Sequence, residues 1–84
     1  MTKAEIVGLL EKIVGEAVGV DELSLTLETT PDDVSGWDSF THVIILATVE
    51  STFGVRFTVS EFSSLYSVGI LVDMIDTKLQ TVVA

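Results

Sequence analysis

Apolar residues recur at helical spacing in three stretches of this chain, separated by segments where the pattern breaks. In the first, Ile6, Leu9, Leu10, Ile13, Val14 and Ala17 line one face. Thr2 and Glu5 stand ahead of the stripe as a capping-box pair, able to satisfy the first free amides. The spacing predicts a helix to about Val18, with Gly19 closing it. Gly8 and Gly15 fall inside it on one face, each costing roughly 1 kcal/mol against Ala; close helix packing is one reason to find them there.

The second stretch opens at Asp38 or Ser39 and runs to Phe53, with Gly54 as its stop. Its centre, Val43-Ile44-Ile45-Leu46-Ala47, is apolar all round, so periodicity does not say which side is buried. The third carries Val68, Leu71, Val72, Ile75 and Leu79 on one side and Asp73 and Asp76 on the other, with Ser67 as the expected cap. Between the last two, Val55-Arg56-Phe57 reads as extended or turn-like, and residues 60–65 as a short helical turn capped by Ser60. Residues 20–37 form a long acidic connection with no Lys or Arg, holding Asp21, Glu22, Glu28, Asp32, Asp33 and the only proline, Pro31. Leu23 and Leu25 are expected to anchor it to the core. The sum is an all-α fold, a small four-helix bundle of three main helices plus a short one, spanning residues 1–84 as a single domain.

Size and charge narrow the function. A chain of 84 residues suffices for one domain, at a length where a single core is marginal. It has no cysteine and a single histidine, which excludes disulfides, thiolate zinc sites and His-rich metal sites. Stability must come from apolar burial, in keeping with 48% hydrophobic residues and a mean hydropathy of +0.60. The net charge of −9, from 13 acidic and 4 basic residues, argues against nucleic acid, which needs Lys and Arg to displace counterions. It favours basic protein partners reached by electrostatic steering, and part of it simply keeps a greasy domain dispersed. No secretory signal and no membrane-length apolar run are visible. A cytoplasmic monomer is the expectation.

The candidate chemistry sits at Gly36-Trp37-Asp38-Ser39-Phe40, where the acidic connection gives way to the second helix. An Asp-Ser pair before an apolar run is commonly a helix cap and nothing more. Here the surrounding order adds to it: a long acidic loop, then the serine, then a helix ending Val49-Glu50-Ser51-Thr52-Phe53-Gly54-Val55, a short capped turn, and Ser67-Val68-Gly69-Ile70-Leu71-Val72-Asp73.

Over essentially its whole length this order resembles the acyl carrier proteins. The resemblance implies that Ser39, within Asp38-Ser39-Phe40, receives 4′-phosphopantetheine from coenzyme A through a phosphopantetheinyl transferase. Phe40 departs from the Leu commonest there but remains large and apolar. Asp38 is implied in recognition by the transferase as well as in capping. The protein would then be a covalent substrate of acyl-loading and acyl-transferring enzymes, with no turnover of its own. Physics agrees, since a phosphodiester on Ser39 would meet the positive end of a helix.

Further residues follow as expectations. Trp37, Phe40, Ile44, Ala47 and Glu50 are candidates for partner contact. If Ile44 and Ala47 face outward, the docking surface is unusually apolar beside the acidic one typical of fatty-acid carriers, which favours dedicated partners. Val43, Leu46, Val49, Phe53, Phe62, Leu65 and Ile75 are candidates for a core pocket that shelters an acyl chain, although stability alone would require the same residues. His42 is read as exposed. Three readings compete with an acyl carrier: a stand-alone aminoacyl or peptidyl carrier using the same serine, an unmodified acidic helical interaction module, and an enzyme built on Ser39 and His42. The last lacks a third group and a Gly-x-Ser-x-Gly turn.

Overall fold

The computed structural model describes residues 1–81, and these form helices Lys3–Val18 (α1), Ser39–Phe53 (α2), Val59–Ser63 (α3) and Val68–Thr81 (α4). Both long-helix stops expected from glycine are present, with Gly19 and Gly54 in the left-handed conformation at φ 76° and 69°. At the start of α1 the Thr2 hydroxyl accepts from the Glu5 amide, and the Glu5 carboxylate accepts from the Thr2 amide.

The three long helices bury a shared core. Ile6, Leu10 and Val14 of α1, Ile45, Leu46 and Val49 of α2, and Val68, Leu71, Val72 and Ile75 of α4 are all sealed from solvent. Leu25 and Val34 from the long connection, and Val55 and Phe57 after α2, close the edges. Leu25 anchors the connection as expected, and its amide also donates to the Glu11 carboxylate of α1. Leu23 packs only partly. The connection then meets the start of α4, where the amides of Val68 and Gly69 donate to the carbonyls of Thr29 and Leu27, each at 2.8 Å. Ser67 caps α4 through its hydroxyl, which accepts from the Ile70 amide.

The connection carries a 3₁₀ turn, Pro31–Asp33, whose entry at Thr30 is held by the Asp33 carboxylate. Two local expectations change. The short helix is capped by Thr58 rather than Ser60: the Thr58 hydroxyl takes the Glu61 amide and Glu61 returns the bond to the Thr58 amide. Ser60 lies inside the helix, where its hydroxyl cannot reach the open amides. Helix–helix packing does not explain the α1 glycines. A Cβ on Gly8 would meet nothing within 4 Å, whereas one on Gly15 would lie 2.8 Å from the Val20 carbonyl oxygen, so Gly15 lets the turn after α1 fold back.

Candidate functional site

Ser39 occupies the first position of α2, exposed, and several features fix it there. Val34 and Trp37 are buried and pin the end of the acidic connection from inside. Gly36 turns the chain at φ 92°, against Val18 of α1. Asp38 then caps α2, its carboxylate accepting from the Thr41 amide at 2.8 Å. That backbone bond holds the Asp38 carboxyl below the usual carboxylate range. The result is a hydroxyl held outward at a helix end whose first amides lack helical acceptors.

A shallow cleft of about 330 Å³ opens beside Ser39, bounded by Trp37 and His42 on one side and by Ser63, Leu65 and Tyr66 on the other. No sequence pattern singles out Ser63, the last residue of α3, or Tyr66 shortly after it. A larger depression of about 700 Å³ runs along Gly8, Lys12, Gly15 and the turn at 19–23. It shares no wall with the serine cleft.

His42 is not exposed. It is half-buried, its Nδ1 accepting from the indole N–H of Trp37 at 3.0 Å and its Nε2 lying 3.4 Å from the Phe62 carbonyl. Both ring nitrogens therefore have partners other than Ser39, which leaves the Ser39–His42 enzyme reading without its base. The phase of α2 explains the placement: inward positions fall at 42, 45, 46, 49 and 53, so His42 takes the slot assigned to Val43. Val43 is 56% exposed and lines no core pocket. Of the other pocket candidates, Leu46, Val49, Phe53, Leu65 and Ile75 are buried and Phe62 is half-buried against them.

The same phase settles the outer face of α2. Phe40, 75% exposed, leads a stripe continued by Ile44 and Ala47. Of the other partner-contact candidates, Trp37 is corrected: it is only 8% exposed, since its indole belongs to the core. Glu50 is half-buried, one carboxylate oxygen accepting from the Phe57 amide at 2.8 Å and tying it to the segment after α2.

The site is thus an exposed hydroxyl at a helix N-terminus on a small helical platform, with both ring nitrogens of His42 engaged elsewhere. Comparison with known proteins bears on it directly. Residues 8–75 match the family model for the phosphopantetheine attachment site. The acyl carrier protein of Thermotoga maritima is 33% identical over 78 residues, covering 93% of this chain and 96% of that protein. The solution structure of a holo acyl carrier protein from Geobacter metallireducens superposes with a TM-score of 0.82 at 31% identity, covering 89% of this chain and 86% of that one. The chain belongs to the acyl carrier protein family, whose members carry covalent 4′-phosphopantetheine and are served by phosphopantetheinyl transferases and acyl-handling enzymes. The all-α bundle expected from the periodicity is the fold of this family, and among the described residues no helix is long and apolar enough to cross a membrane.

Proposed function

We propose that Ser39 is the attachment point of 4′-phosphopantetheine, and that the protein presents acyl thioesters to partner enzymes of lipid or secondary-metabolite synthesis without turnover of its own. The observation that carries this reading is the exposed Ser39 hydroxyl at the first position of α2, held there by Asp38 and by buried Val34 and Trp37. The residues fit the group. The open α2 amides and the positive helix end suit a phosphodiester, and the adjoining cleft leaves room for an arm to leave the surface. When bound, the arm supplies a terminal thiol for thioester formation. The chain's own part is to orient the serine, keep its cap ionised through Asp38 and expose α2 for docking.

The outer stripe of Phe40, Ile44 and Ala47 supports dedicated partners with apolar docking surfaces. Within the described part of α2 the only carboxylate is Glu50, and it is engaged by the Phe57 amide. Leu46, Val49, Phe53, Phe62, Leu65 and Ile75 are the residues an acyl chain would have to part in order to enter the core, displacing tight packing. Apolar contacts between a loaded chain and these side chains, seen by NMR, would support sequestration; a chain wholly in solvent would end it.

Intact mass after incubation with coenzyme A, Mg²⁺ and a broad-specificity phosphopantetheinyl transferase tests the attachment. One phosphopantetheine on the wild type and none on Ser39→Ala is the expected result. Addition to Ser39→Ala would move the site elsewhere, and no addition to folded wild type with two transferases would favour an unmodified interaction module.

A further inference from the structure

The buried ring of Trp37 pins the turn before the serine, but its indole N–H and the neighbouring His42 have no part in the function described so far. The indole N–H of Trp37 can only donate, so its 3.0 Å bond to His42 Nδ1 requires a lone pair on that nitrogen. A neutral ring then carries its proton on Nε2, which faces the Phe62 carbonyl at 3.4 Å. One imidazole thus joins the end of the acidic connection, the first turns of α2, and α3. It also sits in the wall of the cleft next to Ser39, opposite Ser63, Leu65 and Tyr66, which follow Phe62 along the chain.

We propose that His42 is a positioning residue whose neutral ring latches α3 to the turn that carries Ser39, and that protonation of the ring releases the latch. The latch is a property of the fold; its use in presenting Ser39 rests on the attachment proposed above. A doubly protonated ring puts an N–H at Nδ1 against the indole N–H, two donors facing each other, with the indole buried and left without its acceptor. α3 is the element free to respond, because it contributes no fully buried residue of its own. The other ionisable groups around the ring are Asp32, Asp38 and Tyr66 on the cleft and Glu61 beside Phe62 on α3. Carboxyl and phenol groups ordinarily titrate outside the interval from about pH 5 to 8 in which imidazoles do. Asp38 and Glu61, moreover, are held below the usual carboxylate range by backbone bonds to Thr41 and Thr58.

Nitrogen-15 NMR of the unmodified full chain tests the latch directly. At pH 8 the ring is expected as the Nε2–H tautomer with a hydrogen-bonded Trp37 indole. Towards pH 5 the indole resonance and the amides of residues 62–64 should move along the ring's own titration curve. His42→Gln, whose amide oxygen accepts and whose nitrogen donates as the neutral ring does, should abolish that movement. For the positioning role, kcat/KM of coenzyme A-dependent modification is measured for wild type and His42→Gln with one transferase, so that the enzyme's own pH dependence cancels. The wild-type to variant ratio should fall several-fold between pH 8 and pH 6. A proton on Nδ1 at pH 8, or indole and α3 resonances indifferent to the ring's titration, would overturn the latch. A ratio flat with pH would overturn the positioning role. Absence of any modification would count against the attachment at Ser39, and the resonance measurements would still decide the latch.

Discussion

The long helices and the short one are held by different forces. α1, α2 and α4 meet through side chains with no solvent exposure, such as Leu10, Leu46 and Ile75, whose burial cannot be given up piecemeal. α3 has no fully buried residue; a Thr58–Glu61 capping box closes its own first turn, and polar contacts fasten it to the rest, the Lys78–Glu61 ion pair at 3.0 Å and the His42–Phe62 contact. Its one apolar anchor is half-buried Phe62, edge-on to Phe57 at 6.3 Å between ring centres. The lesson is a division of labour: a rigid platform holds Ser39 in place, and a loosely fastened element forms the far wall of the cleft beside it. Local opening of α3 breaks a few polar contacts, whereas opening of the platform unfolds the molecule.

That contrast can be broken most strongly from the platform side. Leu46→Ala is expected to cost about 3 kcal/mol, a large share of the stability of so small a domain. Urea unfolding should show one lowered midpoint for the whole molecule, and a loss confined to α3 would refute the division. Glu61→Ala removes half of the capping box and the partner of Lys78 together. Its expected cost is about 1 kcal/mol, felt as faster amide exchange in α3 while α1 stays protected. Equal loss of protection in both helices would mean that they unfold as one unit.

Acid offers a gentler probe. The carboxyls of Asp38 and Glu61 lie below their ordinary range, chiefly through the amides of Thr41 and Thr58 and, for Glu61, next through Lys78. A carboxyl lowered on folding contributes stability above its unfolded pKa near 4, and that contribution is lost as pH falls through the folded value. Below about pH 4 the amide resonances of Thr41 and Thr58 should therefore move while core methyl groups hold still. Movement already complete by pH 5 would contradict the assignment. The smallest effect is expected for Phe40→Ser with Ile44→Ser, within about 0.5 kcal/mol because both side chains are exposed. If the stripe docks partners as proposed, KM for a cognate acyl-transferring enzyme should rise while the melting temperature does not.

Much of the platform was legible because its signals are local. Gly19, Gly54 and Asp38 end or begin helices through their own backbone or side chain, and the stripes of α1 and α4 repeat at a clear period. α2 was opaque because apolar residues surround it, and only contact with α1 and α4 decides that His42 turns inward and Val43 outward. The Thr58-x-x-Glu61 capping box is present in the sequence, but Ser60, a capping residue type two positions on, competes with it as a start. The bonds that shape the site, Trp37 to His42, His42 to Phe62 and Glu50 to Phe57, join residues brought together by the bundle, and no spacing rule announces them.

The start of α4 carries a consequence for the order in which the molecule assembles. Its first amides are received by the carbonyls of Thr29 and Leu27, which lie on the far side of α2 in the chain, and Gly69 leaves no room for a side chain because the Leu27 carbonyl oxygen would sit 2.7 Å from its Cβ. Such a cap forms only after a loop spanning the whole of α2 has closed, and closure must be met before the contact rewards it. The last helix can therefore nucleate from its apolar stripe at any time, but its register is fixed late, when the acidic connection settles over its first turn. The segment that delivers the serine to the surface is thus also the one that completes the fold.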